Sequence, residues 1–502
     1  MIYNTDRERF RKYADPEEFD RIVEYGSVTE MWKSILPGVC RLTAIEDDGK
    51  KYTFAKLEDD AGHVRPLLRS YKRVGILARN SYGAVCAYLA AVTGGCAALI
   101  LPPQLPADAV YGCCMKFGVE ALIYDPSLSD SLATVKAAAP SFPLISFDDR
   151  SEAYAPAVDA APSDPCVIMF TGGTTGKSKG ALLSHRAVMQ GTVNGCYGYK
   201  GVFGQRYLLI LPLSHVFGLI RNLMTSLYTG STLFICRSNK DMFRDIAVFR
   251  PTVLVLVPAL AEMALSLSRK FGKNMLGPDL RHIICGAAAV SPYLITEYPK
   301  MGVSLLAGYG LTESANLVSG NPESLNKPES VGIPYPNQQL RIEDGELWLK
   351  GDNMMDRYVG DPSENEAAYT DGWFRTGDLV RIDEDGFLYV TGRIKEIIVL
   401  QNGENVSPAE VEAHFNEPDF IRDSQVFEDV LPSGAHILAL EVVPRAEALS
   451  DVVGDVKAFI VSRLEEINEK LPPYQRVSRI TVRDSDFERT PSMKIKRYAK
   501  CK

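Results

Sequence analysis

Histidine is scarce, and the six present form no His-Glu-x-x-His pattern; the ten cysteines, from Cys40 to Cys501, include no Cys-x-x-Cys pair. A metal held in a protein-only cage is therefore not expected. Positive charge is not in excess either: Lys+Arg number 55 against 63 Asp+Glu, a net charge of −8. No global field invites nucleic acid, so an anionic ligand needs a local site. The one basic cluster is the tail KIKRYAKCK, whose plainest reading is a solvated end. No apolar run spans a membrane unbroken. The longest, Ala84 to Pro103, is divided by Thr93-Gly94-Gly95 into a helical piece and a short strand. The charged start, MIYNTDRERFRKYADPEEFD, has no apolar h-region, so no signal peptide is expected; a cytoplasmic location with reduced core cysteines is. Internal repeats, heptads and low-complexity tracts are also missing.

What is present is an ordinary globular composition, 46% hydrophobic and 24% charged, over 502 residues, enough for about three domain-sized units. RVGILARN, AALILPP, EALIYDP, YLLILPLSH, TVLVLVPA and RHIICGAA are short, near-continuous apolar runs separated by helical segments, the pattern of parallel strands buried on both faces. From about Glu329 the texture alternates and carries Asp-Gly turns, as in QLRIEDGELWLKGD and LVRIDEDGFLYVTGR, which suits antiparallel hairpins. After Arg393 it reads as a compact α+β module: SPAEVEAHF, DSQVFEDV, HILALEVV, a helix over DVVGDVKAFIVSRLEEINEKL, and VSRITVRD. The expected fold is α/β. A large N-terminal domain (1–392) of mainly parallel sheets flanked by helices carries a small β-barrel at about 329–392, and a small α+β domain follows (393–502).

MFTGGTTGKSKG, Met169 to Gly180, follows an apolar run and admits several chemistries. A Walker A loop fits Gly176, Lys177 and Ser178, but its first glycine falls on Thr171, and Lys179-Gly180 interrupts where a helix should begin. A nucleophile elbow, G-x-S-x-G, matches Gly176 to Gly180 and would make Ser178 a hydrolase nucleophile. It requires a strand–turn–helix, whereas ALLSH reads as another strand. An unliganded surface loop is the plain alternative.

Four further stretches join this one: LPLSHVFGL (Leu211 to Leu219), GYGLTES (Gly308 to Ser314), WFRTGDL (Trp373 to Leu379) with TGRIKEIIVLQNGENVSPAEVE (Thr391 to Glu412), and RTPSMKIKR (Arg489 to Arg497). In this order, from about residue 30 to 500, they resemble the core motifs of the adenylate-forming superfamily of acyl-CoA synthetases, carrier-protein adenylation domains and beetle luciferases. The resemblance implies a reaction in which a carboxylate attacks the α-phosphorus of ATP. One anion must approach another, so the site must neutralise charge and fix an in-line geometry.

The resemblance also implies roles. Thr171, Gly172, Gly173, Thr174, Thr175, Gly176 and Lys179 would cradle the β- and γ-phosphates, glycine allowing the close backbone approach. Tyr309, between Gly308 and Gly310, would stack on adenine, with Ala287 and Ala288 of CGAAAV beside the purine. Thr312 would contact the α-phosphate and Glu313 hold Mg²⁺. Asp378 would accept the ribose hydroxyls, and Arg393 reach ribose or phosphate. Lys494 would bridge the substrate carboxylate and ATP in the transition state. Lys395 falls at the hinge about which the small domain turns, and Gly403 would then line a pantetheine tunnel. His215 would border the acyl and thiol channels, or simply cap the following helix. Three positions depart from the family pattern: Gly172 for serine, Ser178 for proline and Met493 for glycine.

The activity so implied is that of an AMP-forming acid–thiol ligase using ATP, Mg²⁺ and CoA, most like a fatty acyl-CoA synthetase. An adenylation enzyme that loads an acyl carrier protein is the alternative within the superfamily; a serine hydrolase and a catalytically dead binding protein are the alternatives outside it. Leu211 to Leu219 contains no acidic residue to pair with a substrate ammonium, which favours fatty or aryl-alkanoic acids over amino acids.

Overall fold

Each continuous apolar run of the first two thirds becomes a strand covered on both faces. The computed structural model describes residues 2–171, 179–360, 362–400, 404–431, 436–450, 452–490 and 495–497. Arg73–Leu77, Ala97–Leu101 and Ala121–Tyr124 lie side by side in a seven-stranded sheet; Arg206–Leu209, Val253–Leu256 and His282–Cys285 do so in a nine-stranded one. The ladders joining them are parallel. Every residue of Ala97–Leu101 and of Val253–Leu256 is buried, which is why these strands show no polar alternation. The apolar run from Ala84 divides as expected into a helix, Tyr82–Thr93, and the strand Ala97–Leu101. That helix is buried nearly all round, the mark of an internal helix. Among the described residues, no helix is long and apolar enough to cross a membrane.

One edge of the seven-stranded sheet is antiparallel. Pro165–Thr171 runs parallel to Ala97–Leu101 and then pairs in reverse with Lys179–Ser184, with Thr171 opposite Lys179. A third strand, Arg357–Val359, closes on the far side of Lys179–Ser184, with Tyr358 opposite Ala181. Residues 172–178 lie outside the described residues, but strands flank them on both sides. A Walker A loop and a nucleophile elbow both need a helix where Lys179–Ser184 is extended.

The alternating region forms an antiparallel sheet. Asp344 (φ 48°) and Gly345 (φ 81°) make a two-residue turn between Gln338–Glu343 and Glu346–Gly351, the left-handed pair that matches the strand twist. Among the described residues the pairing is an open path rather than a closed ring. Trp373–Ile382, ten residues long, splits its outer edge between Tyr369–Thr370 and Leu388–Arg393, while Ile2–Asn4 covers the other end of the sheet by pairing with Gln338–Glu343.

The C-terminal region has its own core of Val411, Phe415, Val426, Leu440, Ile460 and Leu464, between the sheet Ile421–Val430, His436–Pro444, Arg479–Val482 and the helices Pro408–Phe415 and Val456–Asn468. The last helix begins later than the sequence predicts. Gly454 sits at φ 106°, outside helical space, and Asp455 caps the helix by accepting from the Lys457 and Ala458 amides.

Candidate active site

Three distant segments bring Tyr309, Asp378 and Arg393 together. Tyr309 ends the strand Ser304–Tyr309; Asp378 and Arg393 face each other in register across Trp373–Ile382 and Leu388–Arg393. The Tyr309 hydroxyl donates to Asp378 Oδ2 at 2.5 Å, and Arg393 Nε lies 2.7 Å from Asp378 Oδ1. Asp378 is 1% exposed, so its charge depends on these partners. Its backbone is fixed as well. The Asp378 amide donates to Thr376 Oγ1 at 3.0 Å, the Thr376 hydroxyl donates to the Leu347 carbonyl at 2.7 Å, and the Gly377 amide donates to Glu346 Oε1 at 3.0 Å. Burial, with the Asp378 charge behind it, raises the Tyr309 phenol well above its ordinary value, so it stays a donor at neutral pH.

A second cluster lies four residues along the chain from Tyr309. Gly310 leads into a tight turn, Thr312–Ser314, that folds back so closely that a Cβ on Gly310 would sit 1.4 Å from the Asn316 carbonyl oxygen. Only glycine fits. The turn presents Thr312 and Glu313, both partly exposed. Glu313 Oε1 accepts from the Tyr358 hydroxyl at 2.6 Å, and its carbonyl accepts from the Met355 amide at 2.7 Å. Burial pushes the Glu313 carboxyl above the usual carboxylate range, against the Tyr358 hydrogen bond and the charges of Arg393 and Lys179, which pull it down. Lys179 Nζ lies over the Tyr358 ring at 4.6 Å and 4.0 Å from Glu364 Oε1. Sequence reasoning missed Tyr358 altogether.

CGAAAV and LPLSHVFGL meet at the same place. A Cβ built on Gly286 would stand 3.2 Å from the Gly308 carbonyl oxygen and 3.6 Å from the Phe217 ring. Ala287 takes a left-handed backbone (φ 67°), which an alanine adopts at a cost of about 1–2 kcal/mol, and Ala288 is exposed beside it. Such outliers cluster at ligand sites. His215 is partly exposed, and its Nδ1 accepts from the Phe217 amide at 3.2 Å where the π-helix Phe217–Met224 begins. The bond holds the imidazole in place, although the helix's N-cap is Val216, whose side chain makes no capping bond. Val216, Phe217 and Leu219 belong to the main core. Thr171 is buried at the end of its strand. Gly172, Gly173, Thr174, Thr175, Gly176, Gly403 and Lys494 lie outside the described residues, as do Ser178 and Met493.

Among the described residues, no three His, Cys, Asp or Glu side chains gather as a metal cage. Mg²⁺ bound with a nucleotide asks for less: one or two carboxylates, phosphate oxygens and water. Glu313 meets that requirement, since a carboxylate has about four acceptor sites and Tyr358 uses one on Oε1.

The carboxyl end of the parallel strand Ser304–Tyr309, with its glycine-hinged turn, thus meets the buried Asp378 and Arg393 of an antiparallel sheet and the Lys179 end of an antiparallel edge strand, in an α/β protein whose polar groups converge where parallel strands end. The comparisons give it a family. Residues 38–359 match the family described as AMP-binding enzyme, and residues 395–502 match the AMP-binding enzyme C-terminal domain; the chain belongs to that family. It is 33% identical over 360 residues to the 4-coumarate–CoA ligase-like protein 6 of Arabidopsis thaliana, covering 66% of this chain and 61% of that relative. It is 28% identical over 420 residues to the long-chain-fatty-acid–CoA ligase FadD15 of Mycobacterium bovis, covering 70% and 69%. These matches thus span roughly three fifths to seven tenths of the relatives' lengths. A crystal structure of the anthranilate CoA ligase AuaEII with anthranoyl-AMP superposes with a TM-score of 0.82 over 95% of this chain and 96% of that one. At 19% identity the likeness concerns the fold.

Proposed function

We propose that the chain is an ATP-dependent, AMP-forming acid–thiol ligase of the acyl-CoA synthetase kind. In the first step a carboxylate oxygen bonds to the α-phosphorus of ATP and the bond to the β-phosphate breaks, giving acyl-AMP and pyrophosphate. In the second the CoA sulfur bonds to the acyl carbon and AMP leaves. The observation that carries the reading is the convergence of Tyr309 and Arg393 on the buried Asp378 carboxylate, in a chain of the AMP-binding family.

In this reading Asp378 accepts the ribose hydroxyls while Tyr309 and Arg393 keep it oriented. Thr312 donates to the α-phosphate. Lys179 supplies positive charge at the end of the phosphate loop, and Arg393 adds to it from the strand paired with that of Asp378. Glu313 would hold Mg²⁺, which when bound neutralises phosphate charge. His215, fixed by the Phe217 amide, borders the acyl and thiol channels. Lys494 is assigned the transition-state contact, Lys395 the pivot and Gly403 the pantetheine tunnel, on the family resemblance. The 1–392 and 393–502 division is the frame in which the smaller part turns between the two steps.

For the acid, we favour fatty or aryl-alkanoic chains. Leu211 to Leu219 offers apolar side chains and no carboxylate, and the relatives are named for 4-coumarate and long-chain fatty acids. The test is pyrophosphate release over a panel of fatty acids, aryl acids and the twenty amino acids, with CoA and a phosphopantetheinylated carrier as acceptors. Fatty or aryl acids with CoA are expected to lead. An amino acid outpacing them all in kcat/KM would replace this reading with carrier loading.

A further inference from the structure

We propose that Tyr358 is a positioning residue for the nucleotide's divalent cation: its hydroxyl fixes the Glu313 carboxylate, and its ring ties that carboxylate to Lys179 at the end of the phosphate loop. The inference rests on Glu313 being the metal-holding carboxylate. A glutamate has three side-chain torsions, whereas Mg²⁺ demands near-ideal geometry, so an unfixed carboxylate is a poor ligand for it. Here Glu313 is held twice from one segment, once through its main chain and once through its carboxylate. The Met355 amide donates to the Glu313 carbonyl at 2.7 Å, and three residues on, the Tyr358 hydroxyl donates to Glu313 Oε1 at 2.6 Å.

That segment is itself clamped. The Tyr369 hydroxyl donates to the Met355 carbonyl at 2.8 Å, and Asn365 brackets Tyr358, accepting from its amide at 2.7 Å and donating to its carbonyl at 3.0 Å. Pairing with Lys179–Ser184 fixes the strand on its other side. Tyr358 is 6% exposed, and its face carries the Lys179 ammonium at 4.6 Å, a cation–π contact. Lys179 stands opposite Thr171, so the two strand ends bracketing the phosphate loop meet one step from the aromatic ring that orients Glu313. A purely structural tie between strands would need the ring and the backbone bonds, but not a hydroxyl aimed at this carboxylate.

Tyr358→Phe keeps the ring and removes the hydroxyl. Partners that orient a metal ligand are commonly worth 10–100-fold in metal affinity. The experiment is calorimetric titration of ATP, with and without Mg²⁺, into wild type, Tyr358→Phe and Glu313→Gln, each checked for folding by circular dichroism. The quantity read is the ratio of the two affinities. Glu313→Gln should abolish the Mg²⁺ enhancement. Tyr358→Phe should lower it about tenfold while leaving metal-free ATP binding unchanged. If Glu313→Gln loses the enhancement and Tyr358→Phe keeps the wild-type ratio, Tyr358 is structural and the inference fails. If Glu313→Gln keeps the enhancement, the assignment of Glu313 fails and this inference falls with it.

Discussion

Replacing Arg445 by methionine should loosen the contact between the two regions that match separate family models. Arg445 lies in the C-terminal one, and its side chain is 1% exposed. Nε lies 2.5 Å from Oε1 of Glu262, on the helix Pro258–Phe271 of the N-terminal region, and Nη2 lies 3.3 Å from Oε2. Nη1 donates to the Asp419 and Ile421 carbonyls, both at 2.5 Å, and the guanidinium lies 3.8 Å over the Tyr293 ring. Arg445 is thus held by its own region and inserted into the other. Methionine keeps the packing volume and removes the charge, leaving Glu262, 13% exposed, as an unpaired acid mostly out of water. Breaking a buried pair from one side costs about 3–5 kcal/mol. Because Glu262 can turn toward solvent, the lower end, about 3 kcal/mol, is expected. Urea unfolding of the whole chain and limited proteolysis near residue 395 would measure it. The double variant Arg445→Met, Glu262→Leu should recover most of the loss, since an apolar pair of similar volume commonly equals a buried ion pair. A single-variant cost below about 1 kcal/mol, or a double variant no better than the single, would refute the reasoning. Proposed turning of the C-terminal region must also open this pair, so Arg445→Met should change the ratio of the two half-reaction rates in single-turnover assays.

Gly310→Ala should cost about 3 kcal/mol or more and abolish AMP binding in calorimetry, because the added carbon meets the Asn316 carbonyl and main chain cannot yield as a side-chain tip does; wild-type AMP affinity in this variant would count against the turn geometry. Burial holds the His185 imidazole down to about 4 from 6.5, with Asp164 opposing weakly, so between those values the unfolded chain takes up a proton that the folded chain refuses. Its contribution is whole above about pH 6.5 and lost as pH falls toward 4, about 3 kcal/mol in all. His185→Gln should flatten the stability curve in that window, and equal slopes for both proteins in pH-dependent urea unfolding would overturn the assignment.

The strands and the break in the Ala84 run were legible because burial on both faces leaves a continuous apolar signature that needs no knowledge of partners. What escaped was pairing at a distance. Ile2–Asn4 covers an edge made of residues some 340 positions away, and nothing in IYN states which edge it will meet. The π-helix Phe217–Met224 escaped for a related reason. Its sequence has the apolar content of any helix, and the widened turn shows only in backbone bonds such as that from the Thr225 amide to the Ile220 carbonyl.

At the site, the legible residues were those inside motifs, and the missed ones hold them from outside. Asp378 could be singled out by its place in RTGDL, but its orientation comes from Thr376, Glu346 and Tyr309, which belong to three different strands. Tyr358 sits in DRYVG, a short stretch with no periodicity and no charge pattern of its own. Only when Arg357–Val359 pairs with Lys179–Ser184 does its hydroxyl come to face Glu313 and its ring come to lie under Lys179. A motif thus names the groups that touch the ligand, whereas the angles at which they do so are set by strand register. The two acids of this site are where that matters most. Moving a hydrogen bond to Glu313 or Asp378 by one residue would turn its donor to the opposite face of the sheet, and the carboxylate would lose the group that orients it.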